Sequence, residues 1–593
     1  MRAVRRLAVL GVLAAIGAAP GQAREGAITG QVVDASGRPV SAALVSIAGT
    51  GLSNAGSDAA PRILTSVDGR FVFSQLTTPG TFSVTVTKGG YAEGAYGRHR
   101  PNGSSQSVAL TEGQKAADIA VRMWKLGAIA GAVTDEAGEP VVGAAVRAFI
   151  RRAGAARTFG APVAIVMTDD RGVYRLPSLL PGDYIVAAAQ PGLSAPSSIF
   201  ADVARTGRTT SELAGLVAGM SLQGLSVGDA LYGTPRGAVT PPPPAGTRMQ
   251  IYPPTFHPAA TAAAQASVVS LGSGEERTSV DIHLAPVRTL RLSGTLIGPS
   301  GPAGMVPLRL LPGGGDSIAA EALGAMGVTD ASGAFVFPAV VPGNYVLKTD
   351  ARSSPGQAWL SMPIAVGGDD VDGVVATLQP ALRVTARTQF EGSAPPPAPP
   401  QTGRVAPAFT LEPDDGGPSF SPGPGTTSAD GLTLTGYPPG RYRVRVNNSP
   451  SGWMFKAALL DGVDVSLTPF ELSRDVADLA LVFTDRWSGI GGAVQGAHAD
   501  RAVVVLFPTD SRAWIDAGAN PRRLRSTRVD AQGRFAVRSL PPGDYYAVAI
   551  PDEQSEDWRD PSMLDALARM ATQLTIMEGE HKTVDLPLRE VRQ

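Results

Sequence analysis

The chain has no cysteine in 593 residues. No disulfide can staple it, no thiol can act as a nucleophile, and no lipid-modified cysteine can anchor it. Stability must come from hydrophobic cores, which is feasible for domains near a hundred residues. Histidine is scarce too. His99, His257, His283, His498 and His581 are all there are, and none has a glutamate three or four positions on, so the zinc-peptidase patterns H-x-x-E and H-E-x-x-H do not occur. Charged residues make up only 17%, with 51 basic against 52 acidic. That balance lacks the electrostatic footprint of a nucleic-acid binder, so nucleic acid is not expected as a partner. No phosphate-binding G-x-x-x-x-G-K-S/T loop occurs. Nothing calls for a cofactor or a metal.

Beyond the N-terminus no apolar run reaches the roughly 18 residues of a membrane span. The N-terminus itself reads Met1-Arg2-Ala3-Val4-Arg5-Arg6, an apolar stretch from Leu7 to Ala19, and then Gly21-Gln22-Ala23. A basic start, a short apolar middle and a small-x-Ala end describe a secretory signal peptide over residues 1–23. The mature chain is therefore expected outside the cytoplasm, in a periplasm, at a cell surface or beyond it.

Glycine and proline are abundant, 70 and 50 residues, and they punctuate a repeat. A glycine turn, an aromatic or leucine, further hydrophobes, Pro-Gly and an aromatic recur five times. The copies run Gly69-Arg70-Phe71 to Pro79-Gly80-Thr81-Phe82, Gly172-Val173-Tyr174 to Pro181-Gly182-Asp183-Tyr184, Gly333-Ala334-Phe335 to Pro342-Gly343-Asn344-Tyr345, Gly431-Leu432 to Pro439-Gly440-Arg441-Tyr442, and Gly533-Arg534-Phe535 to Pro542-Gly543-Asp544-Tyr545. Successive turn glycines lie 103, 161, 98 and 102 residues apart. Those spacings suit a small β-sandwich, with one insertion of about sixty residues. The modules are placed at 24–124, 125–290 with the insertion near 193–250, 291–380, 381–486 and 487–593.

Within module 1, alternating runs such as Ile28 to Asp34 and Phe82 to Val86 read as half-buried strands. Asp68-Gly69 reads as a two-residue hairpin turn, and seven short antiparallel strands are expected. Stacking the copies aligns Phe71, Tyr174, Phe335, Leu432 and Phe535, and after Pro-Gly aligns Phe82, Tyr184, Tyr345, Tyr442 and Tyr545. Their strict alternation assigns these rings to cores rather than to a stacking platform. The opening phrase Gly30-Gln31-Val32-Val33-Asp34-Ala35-Ser36-Gly37-Arg38-Pro39-Val40 returns at Gly131 to Val141, is weaker at Gly294-Thr295-Leu296, and is nearly absent from modules 4 and 5. With this start and the aromatic, Pro-Gly second half, the chain resembles the carboxypeptidase regulatory-like domain, a transthyretin-like β-sandwich. The resemblance implies an all-β tandem array and an accessory module without its enzyme. Related sandwiches grouped with starch-binding folds imply carbohydrate binding by analogy only.

Function is sought where the copies differ. The insertion has helical spacing over Ser211 to Met220 and either covers a sheet face or remains loose. Ser562 to Gln573 also has helical spacing and is expected to pack on its own sandwich. Trp453, Trp514 and Trp558 lie in loop-like surroundings, where an indole can stack on a sugar, anchor a protein or cap a core. Trp124 and Trp487 fall at joints. Gly224-Leu225-Ser226-Val227-Gly228 matches the G-x-S-x-G nucleophile pattern, which requires a strand before the serine and a helix after it. The leading expectation is a noncatalytic exported binding or scaffold protein, its partner a glycan or a protein. A structural spacer of the envelope is the alternative, and a serine hydrolase using Ser226 the remote one.

Overall fold

The computed structural model describes residues 25–50, 61–101, 103, 105–151, 159–189, 192–206, 225–233, 248–313, 323–349, 358–397, 403–405, 408–414, 425–428, 431–515, 521–530, 532–555 and 558–591. The expected signal peptide and the expected helix over Ser211 to Met220 lie outside them. Two compact units divide the chain, Met1–Lys125 and Leu126–Gln593. The fold is all-β, a tandem array of two-sheet sandwiches with short helices.

In the first unit, strand Glu25–Asp34 lies between Arg70–Thr77, antiparallel, and Lys115–Met123, parallel. The facing sheet orders Arg62–Leu64, Leu44–Gly49 and Gly80–Thr87, which also pairs with Gly94–Ala95 and Ser107–Leu110. Alternation buries Ile28, Val32, Phe71, Phe73, Phe82 and Val84 in one core. Two expectations change here. The closing strand pairs in parallel, so the sandwich is not wholly antiparallel. The Asp68-Gly69 segment joins strands of different sheets, so it is a corner between layers rather than a hairpin turn. The Ser66 Oγ accepts from Arg70 N at 3.0 Å to close that corner.

The same plan repeats in the second unit. Gly127–Thr134, Leu290–Gly298, Leu382–Glu391 and Gly489–Gln495 are central strands. Each has an antiparallel neighbour on one side, Val173–Leu179, Ala334–Val340, Gly431–Tyr437 and Arg534–Arg538 respectively. A parallel strand flanks each on the other side. The aligned residues are core residues, with Leu432 and Tyr345 half-buried and the others, all aromatic, buried. The tyrosines after Pro-Gly do more than fill space. Tyr184, Tyr345, Tyr442 and Tyr545 each donate their hydroxyl to the carbonyl four residues back, at 2.6, 2.7, 2.8 and 2.6 Å, tying down the corner that precedes their strand.

The glycine of the opening phrase has a physical cause. A Cβ on Gly30, Gly131 or Gly294 would stand 2.3, 2.2 or 2.1 Å from a carbonyl oxygen of the parallel neighbour. Gly492 holds the same position in module 5, with the Val584 oxygen at 2.0 Å. Module 4 places Ala386 there, opposite Leu432 instead of an aromatic ring.

The insertion is a joint. Strand Leu193–Pro196 adds in parallel to Ala325–Val328, the edge of the module 3 sheet, and carries the hairpin Leu225–Val227 and Ala230–Gly233 with it. Leu193, Ala195 and Ile199 then bury against Val328. A helix, Ile199–Thr206, follows. Arg291 grips the hairpin tip at Asp229 and its own sheet at Asp372, both at 2.8 Å. In module 5, helix Pro561–Ala568 is capped by Asp560, which accepts from Ser562 N at 2.9 Å. Its Leu564 and Leu567 pack with Val503, Val505 and Ile550 on the outer face of their own sandwich, as the spacing predicts, although the helix ends at Ala568.

Candidate functional site

The three tryptophans singled out as ligand-stacking candidates are core side chains in this structure. Trp453 is 3% exposed and meets Phe390 edge-on at 4.8 Å. Trp514 is 4% exposed, packs on Phe507 and donates Nε1–H to the Pro508 carbonyl at 2.7 Å. Trp558 is 7% exposed in the same outer core as Leu564. Burial of each ring leaves no broad indole face to meet a sugar. Trp487 sits at the joint of modules 4 and 5, where its Nε1–H donates to the Gly452 carbonyl at 3.1 Å. Ser226 is exposed on strand Leu225–Val227, and the chain turns at Gly228-Asp229 straight into strand Ala230–Gly233. A strand, not a helix, follows the serine, so the geometry that presents a nucleophile elbow is missing. The acidic turn at Asp169 is likewise structural, its Oδ1 accepting from Arg171 N and Val173 N.

What the structure assembles instead is a cleft of about 820 Å³ between modules 4 and 5. Strand Gly440–Val446 turns Tyr442 and Val444 inward, so alternation places Arg443 and Arg445 on its outer face. Opposite stand Arg522 and Arg523 just ahead of strand Arg525–Arg528, Arg525 at its start, Arg512 at the start of a short helix, and Arg559 over the Trp558 ring. The lining acids are Glu412 and Asp510. Asp510 Oδ1 already accepts from Arg512 N at 3.0 Å.

Arg522 is the pivot of this wall. Its guanidinium donates to the carbonyls of Phe455, at 2.6 Å, and Lys456, at 3.2 Å, and lies 4.4 Å over the Phe455 ring. Burial pushes it down to about 10; the charge of Asp464 acts the other way, while nearby Arg525 adds repulsion. Arg523 donates to the Asp544 carbonyl and stacks on Tyr545. Arg443 is neutralised by Asp414 at 2.7 Å. Among the described residues, Arg445, Arg512, Arg522, Arg523 and Arg525 have no carboxylate within 4.0 Å. A balanced chain thus gathers seven arginines against two acidic side chains in the lining of one groove. The joint beneath it is fastened by Lys456, which bridges Glu391 at 2.7 Å and Glu578 at 2.9 Å.

The whole-chain charge balance hides this cluster, yet its two halves are visible in sequence as Arg441-Tyr442-Arg443-Val444-Arg445 and Pro521-Arg522-Arg523-Leu524-Arg525. What sequence does not supply is that the two runs, about eighty residues apart, face one another.

Residues 27–123 and 128–213 match the model of the carboxypeptidase regulatory-like domain, so that domain is found twice in the chain. No curated protein matches the chain. Among solved structures, the TIE protein of Bacillus anthracis is similar at 13% identity over 74% of this chain and 68% of its own, with a TM-score of 0.14. A streptococcal ancillary pilin is similar at 8% identity, over 60% of this chain and 100% of its own, with a TM-score of 0.17. The minor pilin of Streptococcus agalactiae is similar at 11% identity, over 44% and 96%, with a TM-score of 0.19.

Proposed function

We propose that this chain, with its two carboxypeptidase regulatory-like domains, is a noncatalytic, exported, multi-module scaffold that binds a carbohydrate in the cleft between modules 4 and 5. The cleft is the observation that carries the reading. Its volume of about 820 Å³ lies within the range of ligand-sized pockets. Its walls come from two sandwiches held by Lys456 and Arg522, so the groove is preformed. Export rests on the N-terminal sequence pattern. A glycan array and polysaccharide pull-down on the full chain test the binding, and cell fractionation tests the export. Retention on no polysaccharide would remove the binding role.

A spacer role is the second reading, favoured by the strand-addition joint between modules 2 and 3. It predicts normal export, no retained glycan, and loss of envelope integrity when the chain is deleted.

A further inference from the structure

We propose that the cleft selects polysaccharides that carry oxyanions, carboxylate or sulfate, over neutral ones; this rests on the reading that the cleft is a glycan site. Arg445, Arg512, Arg522, Arg523 and Arg525 face one groove with no carboxylate in ion-pair reach among the described residues. Sugar hydroxyls would leave those charges uncompensated. An oxyanion meets them with charge-assisted, often bidentate hydrogen bonds that a planar guanidinium is shaped to make.

Arg522 is half-buried. Arg522 spends its donors on the Phe455 and Lys456 carbonyls, which hold its charge in place without cancelling it. Asp464 attracts it, and Arg525 repels it more weakly from the same wall. An anion entering the groove is attracted by the arginines together, and attraction in a partly enclosed site is screened less than on open surface.

The distribution of the arginines points to a polymer. They come from three separate places: the outer face of Gly440–Val446, the segment 522–525, and the start of helix Arg512–Ile515. A chain with a charge on each sugar or every second sugar can meet them in turn. Leu467, 40% exposed, together with Pro469 and Pro521 lends apolar surface between the charges. Sugar-ring C–H faces suit such patches.

The test uses the full mature chain against three probes, polygalacturonate for carboxylate, dextran sulfate for sulfate, and unsubstituted dextran as the neutral arm. Retention on either charged polymer, at least about tenfold tighter than on dextran and weakening as NaCl rises from about 0.05 to about 0.5 M, is expected. Which charged arm wins names the anion. The exposed pair Arg445→Gln and Arg525→Gln should weaken binding about tenfold or more with the melting profile unchanged. Arg445→Lys with Arg525→Lys should keep part of it. Dextran bound as tightly as the charged polymers would overturn the anion selectivity and leave the glycan reading standing. No polymer bound would remove both. Charged-polymer binding indifferent to the double Gln substitution, or matched by duplex DNA at equal salt, would also overturn the proposal.

Discussion

Ser198 Oγ donates a 2.6 Å hydrogen bond to Asp330 Oδ2 across 132 residues of sequence. The serine belongs to the module 2 insertion and the aspartate to a module 3 corner. Beside this bond, Asp202 Oδ2 accepts from Ala331 N at 2.7 Å, so a second hydrogen bond ties the insertion to that corner. Burial by itself would raise the Asp330 carboxyl, but hydrogen bonds from the Ser198 and Ser332 hydroxyls and from the Ala334 and Ser332 amides hold it below its ordinary 3.8.

A carboxyl held low in the fold contributes stability that is present above its unfolded value and is lost as pH falls through its folded value. The joint between modules 2 and 3 should therefore loosen below pH 3.8. Ser198→Ala should move the Asp330 titration back toward 3.8 and shrink this acid sensitivity. Carbon-13 NMR of the carboxyl reads the titration directly. An Asp330 midpoint at or above 3.8 in the intact protein would contradict the account.

The corner threonines give a second prediction. Thr65, Thr168 and Thr329 are buried, and each accepts a backbone N–H and donates to a carbonyl in the preceding loop. Thr168→Val keeps the shape and strands both Ala144 N and the Val141 carbonyl. The expected cost is about 2–3 kcal/mol, local to module 2. Segment-resolved hydrogen exchange is the suitable measurement, because a multi-domain chain has no single unfolding free energy. Module 5 has Val529 at the corresponding place, so Val529→Thr should bring no comparable gain.

The module cores were readable because alternation repeated five times reports which face is buried. Phe71 and Tyr174 follow the period-two rule without help from tertiary context. The parallel closing strand was not readable, since strand direction depends on how the chain crosses between sheets and not on which residues alternate. The opening glycine could have been found further along. Gly492-Ala493-Val494 keeps the small residue and the strand pattern of Gly30-Gln31-Val32, but the Asp and Pro that mark the loop have gone. At the site, indoles drew attention by chemistry alone, while the arginines that face one groove are united only by folding. Trp453 and Arg525 illustrate the difference, since one is rare and buried and the other common and exposed.

Coupling between the opening glycine and its aromatic neighbour is the third prediction. A Cβ on Gly294 would meet the Val374 oxygen at 2.1 Å and the Phe335 ring at 2.8 Å. Gly294→Ala should destabilise module 3 by about 3 kcal/mol or more through forced backbone shift and overpacking. Phe335→Leu reproduces the pairing that Ala386 and Leu432 make in module 4. The double variant should therefore be more stable than the sum of the two single losses predicts, by about 1 kcal/mol. Strict additivity would mean that the ring plays no part in excluding the methyl.

Trp453 separates core packing from ligand stacking. Its ring is buried edge-on against Phe390, which itself stacks on Phe483 at 5.7 Å, so removing it opens a cavity in the module 4 core. Trp453→Ala should cost about 3–5 kcal/mol. Exchange should rise first in strands Leu382–Glu391 and Val476–Thr484, which carry those two partners. Trp453 directly precedes the cleft residues Met454 and Phe455, so any loss of polysaccharide retention by the protein that remains folded should follow the rise in exchange. Arg445→Gln should do the reverse, with unchanged exchange and weakened retention. If instead Trp453→Ala abolishes retention while exchange in both strands is unaltered, the indole contacts ligand and the arginine groove loses its claim to be the binding surface.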